Sequence, residues 1–122
     1  MSGLPSDTQQ QVQRYFHGKE GYNCAQAVLK IMQKSGMSVP SEDVEAMSRC
    51  GGGRAPEGLC GALYAALEIT PPERRAELGA AFEQAVGSRY CREIRRGKMA
   101  PCRDCVACAV DILSTAVMPQ IV

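Results

Sequence analysis

Three cysteines stand at three-residue spacing in the stretch PCRDCVAC: Cys102, Cys105 and Cys108. Four more occur at Cys24, Cys50, Cys60 and Cys91, making seven cysteines in 122 residues. The thiolate form of cysteine binds soft metals and attacks disulfides. In a reducing compartment, cysteines at this density point to metal binding or redox chemistry rather than to a disulfide framework. An odd count cannot close completely into internal disulfides. Some of the seven are also expected to act simply as small buried apolar side chains.

The elements that must position these thiols read as helices with short joints. Ser6 is placed to cap a first helix through DTQQQVQRYFH that stops at Gly18. Asn23 caps a second, CAQAVLKIMQKS, closed by Gly36, with Val28, Ile31 and Met32 on one side. Ser41 opens a short third helix, EDVEAMSR, and GGGRAPEG then breaks the chain. A fourth, Ala-rich helix runs from about Leu59 to Ile69. Thr70, Pro71 and Glu73 read as a capping-box start with proline at the first helical position, for a fifth helix to about Arg89. Leu78, Phe82 and Ala85 should face inward on it. A basic joint leads into a last helix from near Cys102 to Val117. Alternating runs and hairpin dipeptides are absent, so the expected class is all-α: one domain over residues 1–122, a compact bundle of five to six short helices.

On this map Cys24, Cys60 and Cys102 fall at helix N-termini, where free N–H groups and the helix dipole favour a thiolate. Cys91 falls where the fifth helix gives way to the basic joint. With 5% aromatics and no tryptophan, Ala, Leu, Val, Ile and Met must do the packing. The net charge of +1 gives no general reason to expect nucleic acid or a membrane surface as partner. The N-terminus MSGLPSDTQQQ lacks the features of a signal peptide, and no apolar run approaches the roughly 20 residues of a membrane span. The expected location is cytoplasmic.

The segments GYNCAQAVL, GGG with GLCGALYAAL, YCREI, and PC with AVDIL, in this order, resemble the redox-active protein family named for its C–GCAxxG–C–C pattern. The likeness implies a small helical protein with redox activity. Its four characteristic cysteines fall on Cys24, Cys60, Cys91 and Cys102, which become the candidate catalytic, cofactor-binding and metal-binding residues. The motif's last glycine is Ala65 here. Cys50, Cys105 and Cys108 lie outside the pattern and read as additions of this branch.

Two chemistries suit the set of four. One is electron transfer through a thiolate-ligated iron–sulfur cluster; the other is thiol–disulfide exchange. The run from Cys102 to Cys108 resembles the first part of a ferredoxin ligand set, with Cys50 or Cys91 as fourth ligand. On a regular helix, however, Cys102 and Cys108 are about 9 Å of rise apart. Zinc would accept the four thiolates but lacks its paired Cys-x2-Cys signature, so it ranks lower. Covalent haem is excluded, because no Cys-x-x-Cys-His occurs. A non-catalytic metal-binding or sulfur-carrier module is the alternative of a different class. His17, the only histidine, reads as a surface residue.

The stretch RYCREIRRGKMAPCR holds six cations against one acid, Glu93. Around Cys91 and Cys102 they would favour thiolates and attract a small sulfur-containing anion or an acidic redox partner protein. A homodimer is left open. GGGRAPEG lacks the ending of a phosphate loop and reads as a joint that brings the backbone close to Cys60. No paired carboxylate or serine nucleophile constellation is visible, which argues against hydrolysis.

Overall fold

The computed structural model describes residues 3–19, 21–51, 54–97 and 102–114. Among them are seven α-helices and no β-strand: α1 (Gly3–Tyr15), α2 (Cys24–Lys34), α3 (Ser41–Ala46), α4 (Gly61–Glu68), α5 (Pro72–Val86), α6 (Cys91–Arg96) and α7 (Cys102–Ile112). Short 3-10 turns follow α3 and precede α4. The all-α class is as expected, with one helix more than the richest count.

Helix α2 is the axis of the bundle. It packs on α4, α7, α3 and α1, and buries residues on nearly every side, from Cys24 to Met32. Its start is fixed as the sequence suggests. The Asn23 side chain accepts from the Gln26 N–H while the Gln26 side chain accepts from the Asn23 N–H, a complete capping box. The Asn23 amide also donates to the carbonyls of Met47 and Ser48, tying the turn after α3 to the start of α2.

The α2–α4 contact is built from small residues. Ala25, Ala27, Ala62, Ala65 and Ala66 are fully buried, which lets the two backbones approach closely. Ala65 therefore packs in the core in the place of the motif's glycine. Gly61 is the position that tolerates no methyl. A Cβ there would stand 2.6 Å from the Cys50 carbonyl oxygen and 2.7 Å from Cys24 Sγ. Phe82, Leu29, Ile31, Met32, Leu63, Leu78 and Leu113 fill the rest of one contiguous core.

Several joints differ from the sequence reading. α1 begins at Gly3, so Ser6 lies within it rather than capping it, and it ends at Tyr15 before His17 takes a positive φ of 56°. Thr70 does not start α5. Its hydroxyl is buried and donates to the Ala66 carbonyl at 2.6 Å, closing the end of α4, and Pro71 takes the cap position of α5. A hydroxyl that reaches back to a carbonyl four residues earlier is no longer free to cap forward. α5 stops at Val86 because Gly87 adopts the left-handed conformation, φ 101°. Val86 is buried and Ala85 exposed, so the inward face ends one residue later than expected. The basic joint is largely a helix, α6, opened by Cys91. The expected end of the last helix at Val117 lies outside the described residues.

Candidate functional site

Four family cysteines, four helix starts: Cys24, Cys91 and Cys102 are the first residues of α2, α6 and α7, and Cys60 is the N-cap of α4. A backbone clip sets two of these starts side by side. Leu59 pairs with Tyr90 in an isolated antiparallel bridge, and the Cys60 N–H donates to the Arg89 carbonyl at 2.8 Å. Packing of α7 on both α2 and α4 adds Cys102. Cys24 feels the charge of Cys60, Cys102 and Cys91, and Cys102 that of Cys91 and Cys60. The thiols also divide by access: Cys24, Cys60 and Cys91 are buried, and Cys102 is exposed.

Cys60 is the acidic member. The thiol of Cys105 stands beside the Cys60 sulfur, and its stabilisation of the Cys60 thiolate is the largest influence lowering the Cys60 pKa. Burial opposes it, and the N–H groups of Leu63 and Ala62 at the start of α4 lower it further. The net shift is downward, to about 7. Three groups act on one sulfur, so the negative charge has partners although water is nearly absent. Cys105 is pushed strongly up by that same interaction and by its burial.

Cys24, Cys102, Cys108 and Cys50 are shifted the opposite way. Burial, then the charges of Cys60 and Cys102, raise Cys24 to about 12, against a single lowering contact from the Ala25 N–H. Cys102 is raised by burial of its sulfur, then by Cys91 and Cys60; Arg95 lowers it. Cys108 is raised to about 11, first by burial and then by Asp111. Cys50 stands apart. It is raised by burial and by Glu68, with no other cysteine acting on it.

Sequence reasoning missed two contributors, the roles of Cys105 and His17. Cys105 lies outside the family pattern, yet it stands beside Cys60, and it is the docking of α7 on α4 that brings it there. Arg54, Arg95 and His17 line, with Cys24, Cys102 and Asn23, an open depression of about 390 Å³. His17 is exposed as expected, but it stands at this depression because its N–H donates to the Tyr22 carbonyl at 2.9 Å, folding the end of α1 back toward Asn23.

The basic stretch is less of a thiolate device than its composition suggests. Arg89 pairs with Glu83 at 2.9 Å, Lys98 lies outside the described residues, and Arg95 is the cation that acts on Cys102. Glu93 accepts a 2.6 Å hydrogen bond from Ser88, at the turn that leads into α6. Among the described residues, no three Cys, His, Asp or Glu side chains are gathered closely enough to hold a metal ion as they stand. No helix among them is long and apolar enough to cross a membrane.

Comparison with curated proteins and with solved structures finds no match. The sequence model of the family described as "Putative redox-active protein (C_GCAxxG_C_C)" matches residues 22–116, which contain every one of the thiols placed above, and the chain belongs to that family.

Proposed function

We propose that this protein exchanges thiols and disulfides, with Cys102 as the sulfur that meets the substrate and Cys60 as the thiolate stored behind it. The observation that carries this reading is the placement of buried Cys60, at the N-cap of α4 with the Cys105 thiol beside it, within reach of the charge of the exposed Cys102. A thiol with a pKa near ambient pH is both a good attacking group and a good leaving group.

In the oxidised protein a Cys60–Cys102 disulfide joins the starts of α4 and α7. A substrate thiolate attacks the exposed Cys102 Sγ, and the S–S bond breaks. Cys60 departs as a thiolate, received by the Cys105 thiol and the N–H groups of Ala62 and Leu63. A second substrate thiolate attacks the substrate sulfur of the mixed disulfide. That step forms the substrate disulfide and releases Cys102, which takes up a proton. Two thiols lose two electrons, and one protein disulfide gains them. Exchange with a disulfide-bearing partner, which leaves as two thiols, restores the protein disulfide. Stabilising the reduced form makes such a disulfide a stronger oxidant.

The test is to oxidise the reduced protein with a small disulfide, alkylate the remaining thiols and map the bond by mass spectrometry. A Cys60–Cys102 disulfide is expected, lost in Cys102→Ser with the fold retained by circular dichroism. No disulfide, or one confined to other pairs, overturns the reading.

A second reading is favoured by the convergence of four thiols on four helix starts, whose positive ends suit anionic ligands. In it Cys24, Cys60, Cys91 and Cys102 ligate an iron–sulfur cluster. Among the described residues, no three such side chains stand close enough to hold a metal ion as they are, so cluster binding would draw the four thiols together. Anaerobic reconstitution decides: bound iron and sulfide, with visible absorption bleached by dithionite, would place this reading first.

A further inference from the structure

The depression at Cys102 has a chemistry that thiol exchange alone does not require. Arg54 and Arg95 enter its lining from two directions. Arg54 comes from the loop before α4, held by its N–H bond to the Gly51 carbonyl at 3.2 Å, and Arg95 comes from the last turn of α6. Neither guanidinium pairs with a carboxylate among the described residues. Arg89 and Arg75, by contrast, are committed to Glu83 and to the carbonyls of Leu67 and Thr70. His17 and Asn23 add nitrogen-bearing side chains to the wall, and among the described residues no carboxylate lines it. Its volume suits a small molecule. The neighbouring depression on the other side of Arg95, lined by Cys91, has two carboxylates, Glu57 and Glu93, on its wall. Among the described residues, one side of Arg95 therefore carries mixed charge and the other carries cations without a carboxylate.

We infer that the depression between Arg54 and Arg95 is the substrate site, and that it selects small thiols carrying a carboxylate, sulfonate or phosphate group. This rests on the exchange reading for the reaction, though not for the binding. The anionic end lies between the two guanidinium groups, which leaves the substrate sulfur at the mouth of Cys102. The two arginines are binding and specificity residues; the bond changes belong to Cys102 and Cys60. A cationic thiol of the same size is repelled, and a neutral one gains nothing from the site.

Three thiols of similar size serve as probes: 2-mercaptoethanesulfonate, 2-mercaptoethanol and cysteamine. Each reduces the oxidised protein, and rates are compared per thiolate. The anionic thiol should react about tenfold faster than the neutral one and the cationic thiol slower, a spread typical of charge-lined clefts. The spread should collapse in the Arg54→Gln, Arg95→Gln double variant, and also in about 1 M salt, where charges act over only about 3 Å. Equal rates for all three thiols, or a spread unchanged in the double variant, would sink the inference.

A second measurement needs no disulfide. In the reduced protein, labelling of Cys102 by iodoacetate relative to iodoacetamide should be raised by the two arginines and fall in the double variant. If no Cys60–Cys102 disulfide forms but this ratio still depends on Arg54 and Arg95, the exchange reading fails and the anion site stands. If the disulfide forms and the ratio is indifferent to the arginines, the reverse holds.

Discussion

The starts of α2 and α4 are close relatives with opposite chemistry. Each carries a family cysteine, exposed by only 7% at Cys24 and 6% at Cys60, and the two sulfurs lie in one cluster. Yet Cys24 is held as a thiol far above the physiological range, and Cys60 is brought down to about 7. Burial and the helix dipole are common to both, so neither explains the difference. What differs is the count of donors. Cys60 is the cap position of α4, and although its side chain makes no full capping hydrogen bond, the N–H groups of Ala62 and Leu63 and the Cys105 thiol all lower its pKa. Cys24 stands one residue inside a helix whose cap, Asn23, already takes the Gln26 N–H, and one N–H remains for its sulfur. A helix start lowers a thiol pKa only where the sulfur is the group that the free N–H groups meet.

Removing the Cys105 thiol should have the largest effect. In Cys105→Ala the pH at which Cys60 labelling by iodoacetamide inflects should rise from about 7 to the ordinary range of about 8.5 or above. Labelling at neutral pH then falls by about tenfold or more. Cys105→Ser keeps a donor and should retain most of the shift. An inflection unchanged in the alanine variant would credit α4 alone.

The spacing between the two starts is tested at Gly61. Gly61→Ala drives a methyl group against the backbone carbonyl of Cys50, in the turn after α3, and against Cys24 Sγ at the start of α2. A loss of about 1–3 kcal/mol is expected in urea unfolding. Gly79→Ala is the control, since its methyl would meet only the mobile end of Arg89 at 3.1 Å, and helix propensity there favours alanine. Equal effects at the two glycines would mean that the α2–α4 approach is not tight.

Stability against pH separates the two thiols with a smaller effect. Cys60 loses its proton in the folded protein near pH 7, while the unfolded chain keeps that proton to its ordinary range. Its contribution is fully present above the unfolded value and is lost as pH falls through the folded one, so stability rises from pH 7 to about 9, by about 2 kcal/mol at most. Cys24 and Cys108 act the other way. Raised to about 12 and about 11, they hold protons that the unfolded chain releases, and stability falls again above about pH 9. Urea midpoints under reducing conditions should show this maximum, and Cys60→Ser should flatten its acid side and, because the Cys60 charge helps to raise Cys24 and Cys108, lessen the fall on its alkaline side. A monotonic profile in the parent protein would contradict the contrast.

Helix class, the α2 capping box and the turn-rich region before α4 are legible in the sequence because each depends on neighbours in the chain. Asn23 and Gln26 need nothing from elsewhere to form their box. The misread positions are those where a distant partner decides. Thr70 has the residues of a forward cap, but the Ala66 carbonyl claims its hydroxyl. Cys91 looks like the end of a helix and a charged joint, until the bridge between Leu59 and Tyr90 makes it the start of α6. Cys105 looks like an addition beside the family's four, and only the docking of α7 on α4 brings it to Cys60. Motif spacing identifies which thiols belong together; it carries no information on which of them has donors.

The clip between the Cys60 N–H and the Arg89 carbonyl also bears on the order of events in time. It closes a long loop that contains all of α4 and α5, and the Cys60–Cys105 contact closes a longer one. Both need the chain to bring together residues remote in sequence, a step slower than forming the helices themselves. Until they close, every cysteine of the nascent chain is an ordinary thiol, mostly protonated at neutral pH. Reactivity is therefore acquired at the last stage of folding.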